Sequence, residues 1–178
     1  KPARPPVAVA PRRVPQQVTW PARYTLDEGV RSRLDATQLR AVDASGVPVL
    51  APREPSVFAQ VTVVSKPTWF TVTLKDGAYA EELLAQREKR AAPATGGLSV
   101  FVQGNRLAHD HPHIPPTPGR QRVRGLPAWI TQNEAIWSAT WTENGVSYVV
   151  EVECSRPDDA RCANEEVLVD IAESLVFV

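Results

Sequence analysis

Residues 135–154, AIWSATWTENGVSYVVEVEC, constrain the fold more than any other stretch of the chain. Asn144-Gly145 suits a two-residue type I′ turn, because both central positions of that turn need positive φ. Folding there predicts the pairs Trp141–Tyr148, Ala139–Val150, Trp137–Val152 and Ala135–Cys154 on one face. The other face pairs Thr142 with Ser147, Thr140 with Val149, Ser138 with Glu151 and Ile136 with Glu153. One face is apolar and aromatic and the other mixed, as in a half-buried antiparallel ribbon. A slip of one residue would put Trp137 and Trp141 into water, so the register is well specified. Aromatic pairs on an inner sheet face are core first and the floor of a ligand groove only second.

Around this hairpin the chain reads as α+β: a twisted antiparallel sheet of roughly five to seven strands, a C-terminal helix on one face and one or two further helices. Residues 58–64 and 69–74 are β-rich runs around SKPT, and the second alternates Trp69, Thr71 and Thr73 against Phe70, Val72 and Leu74. LSVFV at 98–102 is another short strand, and 128–131 is a candidate third strand of the hairpin's meander. Residues 26–42, with Val30, Leu34 and Leu39 near helical spacing and Asp27 as cap, predict a helix that Gly46 stops. VPVLAP at 47–52 is apolar but bounded by proline, hence an edge or a lead-in. Residues 78–92 predict a surface helix with Tyr79, Leu83 and Leu84 on one side. ANEEVLVDIAESL predicts the terminal helix, with Asn164 as cap, acids in the first turn and the stripe Val167, Leu168, Ile171, Ala172 and Leu175; Phe177 and its valines then return to the sheet.

Domain organisation follows from composition. Residues 1–19 are rich in proline and bases, a linker expected to be disordered or extended, and residues 20–178 form a single α+β domain. Formal charge is zero overall, so only this basic arm speaks for a polyanion, and no nucleic-acid partner is expected. Methionine is absent, which leads to the expectation of a processed or truncated chain; a signal peptide or membrane anchor, if the protein has one, is expected upstream of Lys1. No apolar run approaches the roughly 20 residues that span a bilayer. Cys154 and Cys162 enclose SRPDDAR, a turn-forming loop, and zinc would want more thiolates or a nearby histidine. A disulfide between them, worth roughly 2.5 kcal/mol on the loop-entropy model, places the chain in an oxidising compartment. Two buried thiols are the alternative.

Residues 105–124 read as a long irregular segment, the kind that is usually functional or mobile. It holds His109, Asp110, His111 and His113. In an extended backbone the histidines at i, i+2 and i+4 point one way, about 6.5 Å apart, so two imidazoles are placed to share a transition-metal ion with Asp110 or water completing the shell. A solvated loop with incidental histidines is the plainer reading. Arg120, Arg122 and Arg124 alternate into a one-sided basic row and, with Arg106, are candidates to hold a carboxylate, phosphate, acidic glycan or partner; otherwise the row is a solubilising edge. No G-x-S-x-G elbow, Walker loop, dinucleotide fingerprint or H-E-x-x-H is present, and no catalytic residue is assigned. An enzyme working through carboxylates and arginines of the long loop leaves no spacing signature and stays open.

The C-terminal order W-x-x-x-W-x-x-N-G-x-x-Y, an apolar strand and then EEVLVDIAESL resembles the end of exported bacterial α+β envelope domains of the lipoprotein-sorting-like and PsbP-like kinds. That resemblance implies a binding or assembly module and transfers no functional residue. Together these features lead to the expectation of a non-enzymatic exported module, periplasmic or extracellular, that binds a partner protein, glycan or other envelope component without a cofactor. The alternative is a metal-binding periplasmic protein centred on the HDHPH loop.

Overall fold

A computed structural model describes residues 12–22, 25–91, 96–110 and 118–178. Seven antiparallel strands form the main sheet: β3 (Gln60–Lys66), β4 (Trp69–Lys75), β5 (Leu98–Asn105), β7 (Gln121–Val123), β8 (Leu126–Asn133), β9 (Ile136–Glu143) and β10 (Val146–Cys154). Their spatial order is β3-β4-β5-β10-β9-β8-β7. Two short ribbons flank the sheet. One pairs β1 (Arg12–Pro15) with β6 (Leu107–Asp110), and the other pairs β2 (Leu50–Pro52) with β11 (Leu175–Phe177). The helices are α1 (Glu28–Arg31), α2 (Ala36–Asp43), α3 (Gly77–Glu88) and α4 (Glu166–Ser174). The architecture is α+β with a C-terminal helix on the sheet, as the alternation and capping signals predict.

The Asn144-Gly145 hairpin has the expected register from Thr142–Ser147 to Ile136–Glu153. Ala135 does not pair with Cys154. It forms a second two-residue turn with Glu134, at φ 65° and 49° respectively, that joins β8 to β9. A third turn of this kind, Arg124-Gly125 at φ 54° and 74°, joins β7 to β8. Positive φ at both central positions gives a turn whose twist matches the flanking strands, so the three reversals make one continuous meander. Strands β6 and β7 thus occupy part of the segment expected to be irregular at 105–124.

On the inner face Phe70, Val72 and Leu74 of β4 meet Val100 and Val102 of β5 and Tyr148, Val150 and Val152 of β10, all at most 1% exposed. Tyr148 stacks on Trp141 with ring centroids 5.6 Å apart and donates its hydroxyl to Pro48 O at 2.9 Å. Burial pushes this phenol far above its ordinary range, so it stays a neutral donor. Gly104 lies among these rings because a Cβ there would come within 2.3 Å of Phe70. The aromatic face of the hairpin is thus core.

Helices α1, α2 and α4 and the β2–β11 ribbon cover this face. The single helix expected over 26–42 is two. Asp27 accepts from Val30 N at 2.9 Å to start α1, and Asp35 with Gln38 builds a full capping box for α2. Asp35 competes for the backbone just where the first helix would continue, which breaks it. Helix α2 runs beside strand β3, donating from Gln38 to Val61 O at 2.8 Å, and so shields one sheet edge. In α4, Leu168 and Ala172 are buried as the apolar stripe requires, while Asn164 Oδ1 accepts from Glu166 N at 3.0 Å. Phe177 closes the small ribbon with β2 rather than the main sheet. Helix α3 turns Glu82 and Ala85 inward and leaves Leu84 45% exposed, although Leu84 is expected on its packed side. Its placement is set instead by Tyr79, whose hydroxyl donates to Glu153 at 3.0 Å, and by Arg156 near Glu82.

Candidate binding surface

Cys154 and Cys162 form a disulfide with a Cα separation of 6.1 Å. It ties the end of β10 to the short 3-10 turn Ala160–Cys162 that leads into α4. Trp137 Nε1 donates to Cys162 O at 3.0 Å, fixing the same junction from the sheet side. Within the closed loop Arg161 reaches Asp159 at 2.7 Å, Gly96 O at 2.6 Å and Asp76 at 3.2 Å. Asp76 is also the cap of α3, accepting from Tyr79 N at 2.7 Å. The Arg161 guanidinium holds the Asp159 carboxyl below its ordinary value. A cavity of about 480 Å³ lies here between Asp76, Gly96, Arg156 and Arg161, and its charges largely satisfy one another.

The four arginines singled out by sequence stand in different settings. Arg124 is a structural tie: Nε and Nη2 donate to Glu143 at 2.8 and 3.2 Å, Nη1 to Leu175 O, and the guanidinium lies 5.5 Å from the Phe177 ring centroid. Its backbone N donates to Glu173 at 2.6 Å. Arg122 donates to Gly125 O within the same turn. Arg120 precedes β7. The one-sided row expected of an extended backbone fails because Arg124-Gly125 is a left-handed turn. Arg106 lies at the junction of β5 and β6, its amide donating to Thr68 O at 2.9 Å and its carbonyl accepting from Gln16 N at 2.7 Å. Its Nε is buried without a hydrogen-bond partner among the described residues.

Of the proposed metal ligands, His109 and Asp110 belong to β6, where Arg13 is in register with His109 and Arg12 with Asp110. His111 and His113 lie outside the described residues. Among the described residues no group of three or more His, Cys, Asp or Glu is placed to hold a metal ion. The proline-rich arm is extended at Arg12–Pro15, as its composition suggests, but paired there rather than free. It continues as a strap along the end of the sheet: Thr19 N donates to Asn144 O at 2.9 Å, and Gln17 O comes within 2.0 Å of where a Cβ on Gly145 would stand.

The outer face of the sheet brings together residues that no local pattern in the sequence connects. Register places its side chains in cross-strand rows. One row is Trp69, Asn105, Ser147 and Thr142; the next is Val64, Thr71, Gln103, Val149, Thr140 and Trp129. Helix α3 covers one end of this face through the Tyr79–Glu153 contact. The phenol of Tyr79, partly desolvated and donating to that carboxylate, is pushed up to about 12. The β1–β6 ribbon stands over the other end. In the angle between ribbon and sheet is a cavity of about 460 Å³ with Gln103, Asn105, Thr142, Ser147 and Val149 as floor and Arg13 and Leu107 as wall.

The four tryptophans of the sheet divide by face, while Trp20, 57% exposed, lies outside its strands. Inner Trp137 and Trp141 donate their indole N–H to Cys162 O and, at 3.1 Å, to Glu143. Outer Trp69 and Trp129 have no such partner among the described residues, and Trp129 is 43% exposed. Buried indoles normally satisfy their N–H within the protein, so the outer pair differs in kind. The alternation in WFTVTL was a readable signal for Trp69, but that Trp129 shares its face follows only from strand order.

Comparison with protein-family models, curated proteins and solved structures gave no match.

Proposed function

We propose that the protein is a non-enzymatic extracytoplasmic binding module, periplasmic or extracellular, whose working surface is the outer face of its sheet. The carrying observation is the contrast between the two faces: the inner one is closed by three helices and a ribbon, while the outer one leaves Trp69, Trp129, Thr140 and Gln103 presented between α3 and the β1–β6 ribbon. An exposed Trp129 and a half-buried Trp69 on a rigid sheet supply contact area at low entropic cost, and that is the equipment of a binding surface rather than of a general acid or base. The disulfide is compatible with an exported chain, and no helix among the described residues is long and apolar enough to cross a membrane. The likeness of residues 135–178 to exported envelope domains supports the same reading, with a protein, glycan or other envelope component as partner.

Co-sedimentation with envelope material from the producing organism tests this. Wild type is expected in the pellet, and Thr140→Arg, which places a long charged side chain in the middle of the outer face, is expected in the supernatant with an unchanged circular dichroism spectrum. Wild type that stays soluble, or a variant that pellets equally, contradicts the proposal.

A further inference from the structure

We infer that the trough between the β1–β6 ribbon and the outer sheet face binds a linear chain of neutral sugars. This rests on the outer face being the binding surface and names what it takes.

Three observations point to this ligand chemistry. The first is charge: the floor of Gln103, Asn105, Thr142, Ser147 and Val149 carries no formal charge, and Arg13 in the wall already has an interaction of its own, so an ionised ligand would lose hydration over the floor with little to compensate it. The acids of this face, Glu151 and Glu153, lie toward α3, and Tyr79 occupies Glu153. The second is hydrogen-bonding character. Amides and hydroxyls both donate and accept, which matches a sugar hydroxyl that does the same. Gln103, Thr142 and Ser147 make no side-chain hydrogen bond to another described residue, so their capacity faces the trough, whereas Asn105 is positioned by accepting from Leu107 N at 2.8 Å. The third is the pair of outer tryptophans. Four strand spacings of ~4.8 Å separate β4 from β8, so Trp69 and Trp129 flank the polar floor roughly 20 Å apart. Flat apolar rings at both ends of a neutral polar strip fit a ligand with alternating C–H faces and hydroxyl edges.

The same geometry selects a chain over a single sugar. Among the described residues, outer-face positions toward both edges of the sheet are open, with Val64 44% and Trp129 43% exposed, so an extended ligand has room to lie across the strands beyond the trough. Neither ring reaches a monosaccharide bound at the other.

Cellotetraose, chitotetraose and maltotetraose, each beside its monosaccharide, test the inference by amide chemical-shift titration of the 178-residue chain. At least one tetrasaccharide is expected to saturate, at least about tenfold tighter than its monosaccharide, with shifts at Gln103, Thr142 and Ser147. Trp129→Ala and Gln103→Ala should each weaken it by about tenfold, the equivalent of ~1.4 kcal/mol. Arg40→Ala on α2 serves as the control and should leave binding unchanged, and thermal midpoints confirm that all variants are folded. Absence of saturation with all three tetrasaccharides, binding indifferent to Trp129→Ala, or shifts on the opposite side around Trp20 and Phe177 would each overturn the inference. If the sugars fail while Thr140→Arg still abolishes co-sedimentation, the carbohydrate assignment falls and a protein partner on the same face stands. If both fail, both readings fall.

Discussion

Removing Arg124 separates a structural arginine from an anion-binding one. Its guanidinium and the Glu143 carboxylate are only 16% and 17% exposed, and the pair is bidentate at 2.8 and 3.2 Å. Arg124→Ala leaves Glu143 with the Trp141 indole as partner, leaves Leu175 O without the guanidinium and removes a cation from the Phe177 ring. A charge-assisted pair broken from one side costs ~1.5–3 kcal/mol, rising to ~3–5 when the remaining charge is fully buried. At this partial exposure the expected loss is about 2–3 kcal/mol, a fall in midpoint of about 5–10 °C for a chain this long. The turn itself contributes little to the difference, since alanine and arginine carry the same Cβ into the left-handed region. Urea unfolding of wild type, Arg124→Ala, Glu143→Gln and the double variant measures the coupling, expected at about 1–2 kcal/mol. A loss below about 0.5 kcal/mol, or no coupling, would refute the tie and return Arg124 to the surface-row reading.

Other consequences of the structure are measurable with the same material. Replacing both cysteines by serine should cost ~2.5 kcal/mol for a sequence separation of 8 and lower the midpoint by about 5–10 °C, and thiol titration of the denatured, unreduced wild type should find no reactive thiol. Tyr79, raised from 10.0 to about 12, favours the protonated phenol in the fold, so its stabilisation is full below pH 10 and fades as pH rises toward 12. The stability difference between wild type and Tyr79→Phe should therefore shrink across that window, and a constant difference would show that burial and the Glu153 contact do not raise the phenol.

What the sequence disclosed follows from how local each signal is. Asn144-Gly145 announces its turn because both residues tolerate positive φ, and the alternation on either side then fixes which face is buried. Glu134-Ala135 makes the same turn without either favoured residue; there the flanking strands impose the conformation, and no local pattern marks it. The break between Arg31 and Ala36 is legible in the Asp35-x-x-Gln38 capping box, but helical spacing across Val30, Leu34 and Leu39 masks it. The arginine row failed because alternation implies one face only while the backbone stays extended, and Gly125 was the overlooked warning. The candidate surface lay beyond local reading altogether. Trp69 and Trp129 are 60 residues apart, and only the strand order β4-β5-β10-β9-β8 brings them to one face.

The most direct test of that surface is a photo-crosslinking residue placed at Thr140, in the centre of the outer face, compared with one at Arg40 on helix α2, in cells of the producing organism. The account predicts a discrete, light-dependent adduct from position 140 that Trp129→Ala removes, and none from position 40. Adducts from position 40 alone, or equal labelling from both, would contradict it.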